Sequence, residues 1–177
     1  LLGRGGMGEV WRVFDRRLRR QLAMKVIQDV QARHPGGEAT FLSEAQATAQ
    51  LTHPGIVPVY DVGTLADGQL YYTMEEVRGR TLGAVIAEVH AAVAETGWQR
   101  TEEGWSLRRL IEALRRAAEA VAFAHSRGVL HRDLKPNNLM LGEFGTVRVV
   151  DWGLAKVAAS AGVDVPDSPE GATRLGE

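Results

Sequence analysis

The sequence contains no cysteine, which excludes disulfides and thiolate-metal sites. It also lacks an uninterrupted apolar run of membrane-spanning length, because the nearest approach, "AVIAEVHAAVA", is broken by Glu88 and His90. Neither sign of charge dominates. The formal net charge is −1 and the two signs share the same segments, so there is no nucleic-acid footprint and no polybasic membrane patch. The first residues carry no secretory apolar region, no repeat divides the chain, and no true low-complexity run interrupts it. A soluble, cytoplasmic chain without nucleic-acid partners is expected. What is present suits a real core: 177 residues, 45% of them hydrophobic, enough for one ordinary domain or two small lobes. The opening "LLGRGGMG" enters a glycine loop with almost no strand ahead of it, and the closing "KVAASAGVDVPDSPEGATRLGE" is small, polar and turn-forming. The chain therefore reads as a fragment of a longer protein.

From Glu9 to Val30, β-branched and aromatic residues flank a charged "DRRLRR" break, which predicts two antiparallel strands joined by a turn. "EATFLSEAQATAQL" places Phe41, Ala45 and Thr48 on one helical face, with Glu44 on the same helix. "GIVPVYDVG" and "QLYYTMEEV" predict two more strands around the turn-rich "TLADG". After Gly79 the periodicity becomes helical: one helix over "TLGAVIAEVHAAVAE", a loop, then a long amphipathic helix from Ser106 to Ser126. Its expected apolar stripe is Leu107, Leu110, Ile111, Leu114, Ala118, Val121 and Ala122, partly exposed, with Ser106 as N-cap and Gly128 as stop. "NLMLG" and "TVRVVDWG" predict two short strands around "EFG".

Three motifs carry chemistry. "GRGGMGEV" fits G-x-G-x-x-G-x-V, a spacing that a plain hairpin turn would also satisfy. A dinucleotide fingerprint needs a helix after the glycines and a Walker loop needs G-K-[ST], whereas here a strand follows and Glu9 succeeds Gly8. What remains is a hairpin whose bare backbone can approach phosphates. "LAMK" puts Lys25 in mid-strand on the face of Ala23 and Ile27, where an ammonium among apolar neighbours requires an anion; Glu44 is the candidate. "HRDLKPNN" combines an acid (Asp133), a cation (Lys135), a proline (Pro136) and an amide (Asn138), with Asp151 of "DWG" further on. The acid can accept a hydroxyl proton, the lysine can steady a transferring phosphoryl group, and the amide oxygen with the second carboxylate offers hard ligands for magnesium. A polar turn between helix and strand would need no such order.

With these motifs in this order from Leu1 to about Lys156, the chain resembles the eukaryotic-like (Hanks-type) serine/threonine protein kinases. "GRGGMGEVW", "HPGIVPVYDVG", "HRDLKPNNLML" and "DWGLAK" are most similar to the bacterial members. The resemblance implies an α+β, protein-kinase-like, two-lobed fold: an N-lobe over 1–77 with an antiparallel sheet and one helix, and a mainly helical, truncated C-lobe over 78–177. It implies that Gly3, Gly5, Gly6 and Gly8 cover the phosphates of ATP, that Lys25 contacts the α and β phosphates, and that Glu44 orients Lys25. Val10, Ala23 and Met140 would sandwich the adenine. Met74 would be the gatekeeper, with Glu75 and Val77 offering backbone groups to the base edge. Asp133 would be the catalytic base, Lys135 would lie near the γ phosphate, and Asn138 and Asp151 would hold Mg²⁺. Arg132 would pair with a phosphate on the activation segment, where Ser160, Ser168 and Thr173 are present although the expected site lies downstream.

Two residues depart from the family pattern: Trp152 replaces the usual aromatic of the "DWG" turn, and Thr48 stands where a larger apolar residue commonly completes a stack with His131 and Trp152. Neither removes a chemical group. The implied activity is ATP- and Mg²⁺-dependent transfer to serine or threonine hydroxyls of proteins, with dimerisation for autophosphorylation compatible with it, and this fragment alone is expected to be inactive. A pseudokinase or nucleotide-binding signalling scaffold is the alternative, motivated by the two departures. A small-molecule kinase fits the "HRDLKPNN" pattern less well.

Overall fold

In the computed structural model, residues 1–5, 8–96, 101, 104–152 and 156–157 are described. Strand β1 (Gly3–Arg4) and strand β2 (Gly8–Asp15) flank the glycine-rich turn, and β3 (Arg20–Ile27) returns after the charged break. Asp15 closes that break by accepting hydrogen bonds from the backbone N–H groups of Arg17 and Leu18, at 2.9 and 3.1 Å. A short helical turn α1 (Asp29–Ala32) follows, then helix α2 (Gly37–Ala49), β4 (Val59–Thr64) and β5 (Leu70–Met74). The strand expected to run to Val30 thus stops at Ile27, and Val30 sits exposed on α1.

The sheet order is β1-β2-β3-β5-β4, all antiparallel, so β3 lies between β2 and β5. Central placement buries both of its faces: Leu22 and Val26 on one side, Ala23, Lys25 and Ile27 on the other. Ile27 packs with Phe41 and Ala45 of α2 and Tyr72 of β5 in a small core of their own. Helix α2 is thereby fixed against the face that carries Lys25.

The remaining described residues form β6 (Gly79–Thr81), α3 (Leu82–Thr96), α4 (Leu107–Ser126), β7 (Val129–Leu130), β8 (Leu139–Gly142), β9 (Val147–Val149) and β10 (Lys156–Val157). Strands β6, β8 and β9 make a three-stranded sheet and β7 pairs with β10, so this half holds more strand than helical periodicity alone predicted. Strands β8 and β9 fall within the expected "NLMLG" and "TVRVVDWG", whereas β6, β7 and β10 are two or three residues long, too short for period-two alternation to register. The main core joins α3, α4, β7, β8 and β9 to Leu51 and Ile56 of the first half. Ile56 bridges directly to Val149.

Helix α4 begins and ends where expected: the Ser106 hydroxyl accepts from the Arg109 N–H, and Gly128 takes a left-handed φ of +73°. Its buried face is rotated from the expected stripe. Leu110, Ala113, Ala117, Ala120 and Ala124 are buried, whereas Leu107, Ile111, Leu114, Ala118 and Ala122 are exposed. The small residues matter because the chain passes very close: a Cβ on Gly55 would lie 2.7 Å from that of Ala120. Close approach selected alanine over leucine on the inner side. Among the described residues, no helix is long and apolar enough to cross a membrane.

Candidate active site

The glycine hairpin supplies one wall. Gly8 sits where β2 meets β3, and a Cβ there would come within 2.4 Å of the Val26 carbonyl oxygen, so no larger residue fits. Around Gly3 and Gly5 there is open space, which leaves their backbone bare toward a cleft. Gly6 lies outside the described residues.

Lys25 emerges from β3 and is 5% exposed. Its ammonium meets Glu44 Oε1 at 2.8 Å and Asp151 Oδ1 at 3.0 Å. Burial alone would push its pKa down, but the two carboxylates outweigh that cost and hold it above the ordinary lysine value. Glu44 is 2% exposed, far from the solvated position usual for a helix glutamate. Asp151 reaches in from the other half of the chain with a left-handed φ of +61°, a conformation aspartate tolerates better than most residues.

The loop between β7 and β8 is organised by a histidine. Buried His131 accepts at Nδ1 from the Asp133 N–H at 3.3 Å, and its Nε2 lies 3.1 Å from the Val150 carbonyl oxygen. Burial lowers the imidazole pKa, in keeping with a neutral ring that donates at Nε2 and accepts at Nδ1. The ring packs on Trp152 at a centroid distance of 4.6 Å, and Trp152 donates its indole N–H to the Val149 carbonyl at 3.2 Å. Thr48 is buried and turns its hydroxyl to the Glu44 carbonyl at 2.8 Å.

Arg132, exposed and at a φ of +66°, turns the chain so that Asp133 faces the cleft. Asp133 Oδ2 accepts from Lys135 Nζ at 2.7 Å and from Asn138 Nδ2 at 3.2 Å. The lysine hydrogen bond holds the Asp133 carboxyl below the ordinary aspartate value, and the same bond raises Lys135. Pro136 opens the 3₁₀ turn Pro136–Asn138 that carries the amide back to the acid.

These groups share one cleft of about 880 Å³. Gly3, Gly5, Gly8, Val10, Ala23 and Met74 line it from the five-stranded sheet and its glycine turn, Glu75 and Val77 from the connecting segment 75–78 between β5 and β6, and Met140 from β8. Lys25, Asp133, Lys135, Asn138 and Asp151 line its polar end. Glu44 is not on the wall and acts on the cleft through Lys25. Both Nδ2 bonds of Asn138 go to Asp133, one to its carbonyl and one to its carboxylate, which leaves the amide oxygen for a cation. Among the described residues, no cluster of three or more histidine, aspartate or glutamate side chains is placed to hold a metal unaided. An ion at Asn138 and Asp151 would need phosphate oxygens to complete its shell, and the donor set fits magnesium on those terms.

Two sets of contacts were not legible in the sequence. Glu75 and Glu76, adjacent in the connecting segment, pair in opposite directions: Glu75 with Arg148 of β9 at 2.8 Å, Glu76 with Arg12 of β2 at 2.5 Å. Tyr72, opposite Lys25 in the β3–β5 register, donates its hydroxyl to Glu44 Oε1 at 2.7 Å. The strand alternation that places Tyr72 on the face of Met74 was the only available signal.

Comparison with known proteins gives a consistent picture. The family model described as protein kinase domain matches residues 1–169. Serine/threonine-protein kinase PknD of Protochlamydia amoebophila is 44% identical over 155 residues, and PknD of Chlamydia muridarum 39% over 162, each alignment covering 88% of this chain and 16% of the relative. A probable serine/threonine-protein kinase of Streptomyces coelicolor is 37% identical over 166 residues, covering 92% of this chain and 23% of the relative. The chain thus spans less than a quarter of the length of these relatives.

Proposed function

The chain belongs to the protein kinase domain family, and from that premise we propose that the protein transfers the γ-phosphoryl group of ATP to serine or threonine hydroxyls of protein substrates. The carrying observation is convergence: Lys25, Asp133, Asn138 and Asp151, up to 126 positions apart in the chain, line a single cleft. On this reading residues 1–77 and 78–177 are the two lobes, and the nucleotide lies between them.

The apolar residues Val10, Ala23 and Met140 hold the base, and the backbones of Glu75 and Val77 face its edge. The bare glycine backbone follows the phosphates, with Lys25 on the α and β groups. Asp133 accepts the proton of the attacking hydroxyl as its oxygen bonds to the γ phosphorus, while the bond from that phosphorus to the β-γ bridging oxygen breaks and ADP leaves. The Asp133 carboxyl, held below the ordinary aspartate value by its hydrogen bond from Lys135, is ionised at neutral pH and so can act as acceptor. A magnesium ion at Asn138 and Asp151, when bound, neutralises phosphate charge. Positioning and electrostatics thus supply most of the catalysis.

The test uses the full-length gene product with radiolabelled ATP, magnesium and a protein substrate. Asp133→Asn and Lys25→Met are each expected to abolish transfer in a folded protein. Wild-type turnover by either variant overturns the assignment. Nucleotide binding without any transfer by the unsubstituted protein identifies a scaffold instead.

A further inference from the structure

The Lys25–Glu44 pair has a third member. Tyr72 is 4% exposed, lies opposite Lys25 across the β3–β5 pairing, and packs its ring at a tilt against Phe41 of α2, at a centroid distance of 5.2 Å. Its hydroxyl reaches the same Glu44 oxygen that accepts from Lys25. The other oxygen, Oε2, is buried with no hydrogen-bond partner among the described residues. Among the described residues, the hold on this carboxylate is therefore one oxygen with two donors, one from β3 and one from β5.

We propose that Tyr72 is a positioning residue for phosphoryl transfer, whose hydroxyl holds Glu44, and with it α2, in the place from which Glu44 orients Lys25. This rests on the reading of Lys25 as the phosphate contact. The physical argument is competition for the ammonium. Lys25 has two carboxylate partners, and one of them, Asp151, is exposed enough to turn to other work. When it does, Lys25 depends on Glu44 alone. A carboxylate on a helix can withdraw by a small rotation of that helix, because no described residue holds its second oxygen. The phenol opposes that withdrawal from the sheet side, where β5 is fixed between β3 and β4. Only a neutral phenol can donate here, and burial together with the Glu44 charge keeps it protonated. The ring contact with Phe41 brings the hydroxyl to the helix, so the donor arrives without a flexible tether.

The experiment is a double-mutant cycle in the full-length gene product, read as single-turnover phosphoryl transfer so that slow variants stay measurable. Tyr72→Phe keeps the ring and removes only the donor. It is expected to slow transfer about tenfold, the size of one hydrogen bond to a charged group. In a Glu44→Ala background the same substitution is expected to change the rate by no more than about twofold, since the group it acts through is gone. Incorporating 3-fluorotyrosine at position 72, which keeps the donor, is expected to restore the rate to within about twofold of wild type. Thermal unfolding checks that each variant is folded, and the fluorinated protein remains a valid comparison should Tyr72→Phe unfold. An equal loss in both backgrounds, an unslowed Tyr72→Phe, or a fluorinated protein as slow as a Glu44 variant overturns the proposal. Lys25→Met in the same series separates the two claims: unimpaired transfer there removes the underlying functional reading, whereas loss there beside an unslowed Tyr72→Phe removes only the role of Tyr72.

Discussion

Gly8 and Gly5 belong to one motif but answer to different constraints. A methyl group on Gly8 would press on the Val26 carbonyl at 2.4 Å, while around Gly5 there is room. Gly8→Ala is expected to destabilise the protein by about 1–3 kcal/mol, as overpacking does. Gly5→Ala should leave the urea midpoint nearly unchanged and instead raise KM for ATP, because what it disturbs is the approach of backbone to phosphate. Lys25 and Tyr72 give a pH prediction. The carboxylates of Glu44 and Asp151 outweigh burial and hold Lys25 above 10.5, and burial with the Glu44 charge raises Tyr72 well above 10.0. Groups whose folded pKa is raised contribute their stability fully below the unfolded value and lose it as pH climbs through the folded one. Stability should therefore hold up to about pH 10 and fall beyond it, and Tyr72→Phe should make that alkaline fall shallower in urea midpoints. Lys25, Asp133 and Asn138 were legible because each stands in a short run whose residue order is itself informative. Tyr72 was not, because a tyrosine in a strand looks the same whether its hydroxyl meets water or a buried carboxylate.

Among the elements, α4 separates what periodicity can and cannot tell. Its existence, its Ser106 cap and its Gly128 stop followed from the sequence, yet the buried face had to be found in the structure. Leu107, Ile111 and Leu114 belong to the part of the stripe that is exposed, as expected, whereas the alanines of the inner face escaped notice, since a scale that rewards size cannot see that alanine permits the closest approach. Ala117→Leu is expected to cost about 1–3 kcal/mol by urea denaturation. Glu119→Ala, which removes an exposed partner of Arg115, should stay within about 0.5 kcal/mol. Equal costs at the two positions would contradict the inner-face assignment. Strands β6, β7 and β10 escaped for another reason: they are held by partners distant in the chain, and so few residues have no pattern of their own.

At the scale of the molecule, the two halves meet through a backbone bridge at Ile56 and Val149 and through the paired glutamates of the connecting segment. Arg12→Ala and Arg148→Ala each release one side of that segment, and each is expected to raise KM for ATP by about two- to fivefold with a smaller change in kcat. The wild-type value should itself rise with salt, because such pairs are screened. The two-part architecture was readable from the change of periodicity near Gly79, whereas the charges that join the parts were not, since either arginine had many acidic residues to choose from. At the polar end of the cleft two ammonium groups, Lys25 and Lys135, are each already paired with a carboxylate on the wall, Asp151 and Asp133, and Glu44 holds Lys25 from behind. Among the described residues, no uncompensated positive charge is left there for a bare polyanion. With divalent ions chelated, the triphosphate should bind more weakly than plain adenosine, and adding magnesium should reverse the order: the pocket is wired to refuse the fuel unless it comes with its own counter-charge.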